Sequence, residues 1–185
     1  MKILLASNSP RRKELMHSLG FAFEVVAVDC DEVYPQNLEV AKIAEYLSEL
    51  KADSFRTLEK DEVLITADTI VSVDNEVLGK PQDASHAKEM LRKLSGRTHE
   101  VYTGITIRNS EKRISKTDVA HVEINELSDR EIGFYIENYK PFDKAGGYGV
   151  QEWFGMAKIK RIHGSYYTVM GLPTHLVYEA LKDFE

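Results

Sequence analysis

Lys2-Ile3-Leu4-Leu5-Ala6-Ser7-Asn8-Ser9-Pro10-Arg11-Arg12-Lys13-Glu14-Leu15 passes from an apolar run directly into a helical pattern, and that handover sets the fold class. Lys2 to Ala6 predicts a short strand, and Glu14, Leu15, Leu19 and Gly20 predict a helix that stops at the glycine. Ser9 stands where a helix cap belongs, with Pro10 at the first helical position. Arg11 and Arg12 then fall in the first turn, where the backbone dipole disfavours each cation by about 0.3–1 kcal/mol. Free turn N–H groups, the Ser7 and Ser9 hydroxyls and two guanidiniums together suit the oxygens of a phosphate. The bland alternative is a solvated arginine pair on a surface helix.

Downstream the same alternation continues. Ala22 to Val28 predicts a second strand, running into the acidic loop Asp29-Cys30-Asp31-Glu32. Leu38 to Phe55 predicts the longest helix, with Ile43, Leu47 and Phe55 on one ridge. Lys51 falls on that ridge, so it either snorkels to water or reaches a specific partner. Val63 to Ala67 and Ile70-Val71 predict a buried strand interrupted by Asp68 and Thr69. Asp83 is expected to cap a helix carrying Ala87, Met90, Leu91 and Leu94. Val101 to Ile107 and Ala120 to Ile124 alternate around an Asn109-Ser110-Glu111-Lys112 turn, which predicts a β-hairpin. Ser128 and Glu131 form a capping box. A glycine-rich loop follows at Lys144 to Gln151. Gly155 to Ile162 and Tyr166 to Met170 suggest a last strand pair, before a helix with Leu176, Val177, Leu181 and Phe184. The whole is α/β with mixed strand pairing.

Composition narrows the function. The 185 residues are 43% apolar and 29% charged, ordinary for a globular chain, and suffice for one well-buried core or two small lobes. A net charge of -6 argues against a nucleic-acid surface, so any anion site must be local. Cys30 is the single cysteine, which excludes an internal disulfide and is expected to be a small core residue. The short apolar N-terminus lacks a signal-peptide core, and no run approaches a membrane span, so a cytoplasmic location with no membrane partner is expected.

Six histidines show no metal-ligand spacing, and neither a Gly-x-Ser-x-Gly elbow nor a P-loop is present. What remains is Glu32, Asp68, Lys51, Lys80 and Lys144 beside the Ser7/Arg11/Arg12 turn. Carboxylates with lysines and arginines are the parts of metal-assisted phosphoryl chemistry. Asp68 is the strongest candidate, since an acid in a buried apolar run needs a partner or a purpose.

The order of motifs resembles the Maf family of nucleoside triphosphate pyrophosphatases. The matching pieces are Ala6 to Arg12, Glu32, Ala67-Asp68-Thr69-Ile70-Val71, Leu78-Gly79-Lys80-Pro81, Leu94-Ser95-Gly96, Asp143-Lys144-Ala145-Gly146, Tyr148-Gly149-Val150-Gln151 and Val169 to Pro173. The resemblance implies one domain over 1–185, with an elongated, mixed Maf/ITPase-like sheet, flanking helices and two lobes around a central substrate cleft. It implies hydrolysis of a nucleoside triphosphate to the monophosphate and diphosphate with Mg²⁺, Mn²⁺ or Co²⁺. Asp68 would activate water, and Glu32 would join it at the metal. Ser7, Arg12, Lys51 and Lys80 would hold phosphates, while Arg11, Thr69 and Gln151 would select the base. The Tyr-Gly-Val-Gln loop looks like the branch acting on dTTP and UTP. Hydrolysis of 7-methyl-GTP or another altered purine nucleotide, and a non-catalytic nucleotide-binding regulator of cell division, stay open as alternatives, as does a homodimer. Two departures stand out: Thr66 where many relatives carry glycine, and Glu152-Trp153 where others place glycine after the glutamine.

Overall fold

The computed structural model describes residues 1–184, and its elements follow the expected alternation. In chain order they are β1 (Lys2–Leu5), α1 (Pro10–Ser18), β2 (Phe23–Val25), α2 (Val40–Asp53), β3 (Glu62–Val73), β4 (Glu76–Leu78) and α3 (Ala84–Leu94). There follow β5 (Thr98–Arg108), β6 (Arg113–Ile124), α4 (Asp129–Tyr139), α5 (Trp153–Lys158), β7 (Ile159–His163), α6 (Tyr166–Met170) and α7 (Thr174–Leu181). The strands form one sheet in the order β2-β1-β3-β5-β6-β7, with β4 paired to β3. β1 runs parallel to both β2 and β3, whereas β3–β4 and β6–β7 are antiparallel, so the sheet is mixed as expected. Among the described residues no helix is long and apolar enough to cross a membrane.

The chain divides into two compact units. The first comprises Met1–Thr69, Thr103–Asp118 and the segment from Gly171 onward. Its core includes Leu4, Ala6, Ala52, Leu58 and Leu64, with Val26, Val28 and Phe55 packed against them. α2 lies so close to β5 that a Cβ on Gly104 would stand 2.3 Å from the backbone of Ala44, so only glycine fits there. β2 ends at Val25, short of the expected Val28, because β1 offers it only the register Ile3–Leu5. β3 is not interrupted at Asp68. It runs unbroken for 12 residues, because the carboxylate finds a partner without leaving the ladder. Cys30 is half-buried in the loop before α2 rather than in the core, and burial pushes its thiol up.

The second unit comprises Ile70–Tyr102 and Val119–Met170. α3 and α4 supply Leu91, Leu94, Ile132 and Tyr135 to a core shared with Val101, Val122, Tyr148 and Phe154. α4 begins with the expected capping box, Ser128 and Glu131. The first part of the expected strand Gly155–Ile162, up to Lys158, and the expected strand Tyr166–Met170 are helical. Trp153–Lys158 forms α5, with Phe154 and Lys158 buried at the i,i+4 spacing of a helix, and Tyr166–Met170 forms α6 after a turn at Gly164. A short aromatic and β-branched run carries strand propensity, and packing overrides it. Only Ile159–His163 adds a strand, and it pairs with β6.

His99 on β5 is wholly buried, and its Nε2 lies 2.7 Å from the Tyr148 hydroxyl. Burial lowers its pKa to about 4. A histidine held neutral in the fold takes up a proton more readily once unfolded, so stability is complete above about pH 6.5 and falls as pH drops toward 4. The expected loss is about 3 kcal/mol across that window. Urea midpoints from pH 7 to 4.5 should fall more steeply for the wild type than for His99→Gln, which cannot titrate; parallel curves would contradict this.

Candidate active site

Alternation along β3 sends Thr66 and Asp68 to one face and Ala67 and Thr69 to the other. The first face meets α2. Helical spacing puts Ser48 and Lys51 one turn apart on α2, opposite residues two apart on the strand. Two bonds result: Thr66 Oγ1 donates to the Ser48 carbonyl at 2.6 Å, and Lys51 Nζ donates to Asp68 Oδ1 at 2.5 Å. Thr66, the departure in the sequence, thus gives its buried hydroxyl a partner on α2. The Ser48 hydroxyl in turn lies 2.8 Å from Thr106 Oγ1 on β5.

Lys51 reaches a second acid. Its Nζ stands 3.0 Å from Glu32 Oε1 in the acidic loop. The Lys51 and Asp68 side chains are only 14% and 11% exposed, whereas that of Glu32 is 50% exposed, so the cluster is closed at Asp68 and opens to water at Glu32. The lysine on the apolar ridge therefore does not snorkel. It neutralises two carboxylates that converge on one point.

The turn after β1 lies beside this cluster in the sheet register. Leu5 pairs with Ile65, and the Ala6 N–H still donates to the Ile65 carbonyl, which brings Ser7 level with the Ala67–Asp68 stretch. Ligands in such sheets gather at the carboxyl ends of strands. Ser7 is buried, and its Oγ accepts from the Ser9 N–H at 3.2 Å. Ser9 holds the N-cap position of α1 with Pro10 next, yet its own side chain caps nothing.

Arg12 does not point freely outward. Its Nε donates to the Gly171 carbonyl at 2.7 Å, Nη1 to the Ala67 carbonyl at 2.9 Å and Nη2 to Thr69 Oγ1 at 3.1 Å. Desolvation by burial lowers its pKa, while the nearby Asp68 carboxylate opposes that shift. This guanidinium brackets Asp68, holding the residue before it by the carbonyl and the residue after it by the hydroxyl. Thr69 Oγ1 also lies 2.9 Å from Thr103 Oγ1. Gly171, at φ +105°, adopts a backbone conformation that side chains resist and leaves room for Thr69 and Arg12. Arg11 follows Pro10 in α1, half-buried.

Ser7, Arg11, Arg12, Glu32, Lys51, Asp68 and Thr69 therefore all belong to the first unit, with the acids joined through Lys51. Lys80 and Gln151 belong to the second. Lys80 is exposed in the turn after β4, next to Gly79, whose carbonyl accepts from the Gly146 N–H at 3.1 Å. Gln151 is exposed in the turn before α5. Sequence reasoning missed Tyr135, whose hydroxyl accepts from the Gly149 N–H at 2.8 Å and donates to Glu152 Oε2. In sequence it is one more apolar-face residue of α4.

Among the described residues, no three His, Cys, Asp or Glu side chains are grouped to hold a metal ion unaided. The Glu32 and Asp68 carboxylates nonetheless converge on one cation, the Lys51 ammonium. Two carboxylates completed by substrate oxygens and water are a usual donor set for Mg²⁺. The residues present fit a metal that arrives with a phosphate, not a self-sufficient cage.

A family model described as Maf-like protein matches residues 2–184. The chain is 49% identical to a protein of Porphyromonas gingivalis named dTTP/UTP pyrophosphatase, over 99% of this chain and 94% of that one. It is 51% identical to a protein of the same name from Bacteroides thetaiotaomicron, over 98% and 95% of the two chains. Among solved structures it aligns with the Staphylococcus aureus Ham1 protein at 14% identity and a TM-score of 0.49, covering 67% of this chain and 72% of that one. With the family model and the two pyrophosphatase-named relatives matching nearly end to end, the chain belongs to the Maf family.

Proposed function

We propose that this protein hydrolyses nucleoside triphosphates to the monophosphate and diphosphate, with dTTP and UTP as preferred substrates, acting as a single domain in the cytoplasm. The observation that carries the reading is the near-full-length similarity to relatives named for that activity. The cluster of Asp68, Lys51 and Glu32 supports the chemistry. In this reading Asp68 accepts the proton of a water that attacks the α-phosphorus, the bond to the bridging oxygen breaks, and diphosphate leaves. Ser7, Lys51 and Lys80 hold phosphate oxygens. Arg12, with two of its five N–H donors beyond its three protein bonds, does so while fixing the backbone around Asp68. Arg11, Thr69 and Gln151 select the base.

A divalent cation, Mg²⁺, Mn²⁺ or Co²⁺, belongs to the same proposal, with Glu32 and Asp68 as its protein ligands. When bound, it neutralises charge on the phosphate oxygens. The test is diphosphate release from a panel of canonical nucleotides and 7-methyl-GTP, with each metal or with EDTA. Release should peak on dTTP and UTP and vanish in EDTA. A peak on 7-methyl-GTP, or binding of nucleotide without release, would overturn the reading.

A further inference from the structure

Gln151 sits in a turn whose every anchor is occupied. The Glu152 N–H donates to the Gly149 carbonyl at 3.2 Å, which closes a four-residue turn with Gln151 at its third position. The Gly149 N–H donates to the Tyr135 hydroxyl at 2.8 Å, and that hydroxyl donates to Glu152 Oε2. Glu152 Oε1 lies 3.1 Å from Lys144 Nζ, which also donates to Asp143 Oδ1 at 2.8 Å. Tyr135 is itself fully buried on α4, packed against Phe154 and Trp153. Burial and the Glu152 carboxylate both push its hydroxyl well above the ordinary tyrosine range, so it stays protonated and keeps donating.

We propose that Glu152 and Tyr135 are positioning residues for base selection: together they clamp the Gly149–Glu152 turn and so fix where the Gln151 amide is presented. This rests on the proposed role of Gln151. Three features carry it. The carboxylate lies against the Gly149 backbone so closely that a Cβ there would stand 2.7 Å from Glu152 Cδ, so a side chain at 149 would displace the carboxylate from its place. Gly155 makes a second such contact, since a Cβ on it would stand 1.7 Å from the Val150 carbonyl oxygen, so the turn is held from the α5 side too. The exposed residue of the turn is Gln151, while Gly149 and Val150 are buried and Glu152 half-buried, so the clamp leaves that amide as the group facing solvent. Glu152 thus faces inward as a brace, and the departure after the glutamine serves the loop. An amide discriminates bases by paired hydrogen bonds, which weaken steeply when the donor and acceptor are misplaced by about 1 Å.

The test compares kcat/KM for dTTP and for dGTP in wild type, Gln151→Ala, Glu152→Gln and Tyr135→Phe, with unfolding midpoints measured alongside. Glu152→Gln and Tyr135→Phe should each reduce the dTTP-to-dGTP ratio by about tenfold. The loss should fall on KM for dTTP, with kcat and dGTP turnover kept. The Tyr135→Phe/Glu152→Gln double variant should be no worse than Gln151→Ala. An unchanged ratio, or an equal loss on both nucleotides, would overturn the clamp while leaving the pyrophosphatase reading intact. A ratio untouched in Gln151→Ala would instead remove the base-selecting role on which the clamp depends.

Discussion

Asp68→Asn should lower kcat for dTTP by about 10²- to 10⁴-fold, the usual share of a positioned general base. The substitution keeps the shape of the side chain and one oxygen able to accept from Lys51, while the negative charge and the capacity to take a proton are lost and the other oxygen becomes an NH₂ donor. Lys51 keeps Glu32, at 3.0 Å, as counter-ion, so its buried ammonium is not left unpaired. The bracket around position 68 uses the Ala67 carbonyl and the Thr69 hydroxyl, neither of which changes. The fold should therefore persist while turnover is lost, and circular dichroism together with single-turnover diphosphate release separates the two. Retention of a tenth of wild-type kcat by a folded variant would remove Asp68 from the chemistry.

Lys51→Met should have opposite effects on metal and on substrate. The thioether fills the space of the lysine stem on the Leu47 side of α2, so packing is conserved while the charge is lost. Glu32 and Asp68 then face each other without the cation that now lies 3.0 Å and 2.5 Å from them. An added divalent ion no longer competes with a fixed ammonium, and at these separations charge interactions amount to several kcal/mol at an effective dielectric near 20. Mn²⁺ binding to the free protein, read by electron paramagnetic resonance, should tighten by at least about tenfold. Turnover of dTTP should fall by about 10²-fold in kcat/KM, because the cation proposed to hold phosphate oxygens is gone. Unchanged or weaker Mn²⁺ binding would mean that the two acids do not form the metal position.

Part of this arrangement is legible in the residues alone. An acid inside the run Leu64 to Val71 demands a partner or a purpose whatever the fold, and a lysine on the ridge of Ile43 and Leu47 must either snorkel to water or reach a specific partner. That they are partners of one another depends on the register of β3 against β1 and on the seat of α2 over Gly104, which no local pattern encodes. Arg12 shows the same limit. Its place in the first turn of α1 follows from Pro10, but its bonds to Ala67, Thr69 and Gly171 join positions far apart in the chain. Tyr166 to Met170 illustrates the converse, since local strand propensity was strong there and the tertiary context prevailed. The clamp on Gln151 was visible only as an unexplained acid at 152, because its meaning lies in a buried hydroxyl on another helix.

Attack of water at the α-phosphorus, the core of the proposed reaction, can be read from hydrolysis of dTTP in ¹⁸O-labelled water. One label is expected in dTMP and none in the diphosphate, with the rate of labelling lost in Asp68→Asn. Label in the diphosphate, or release of orthophosphate in its place, would put the attack at another phosphorus and contradict the account.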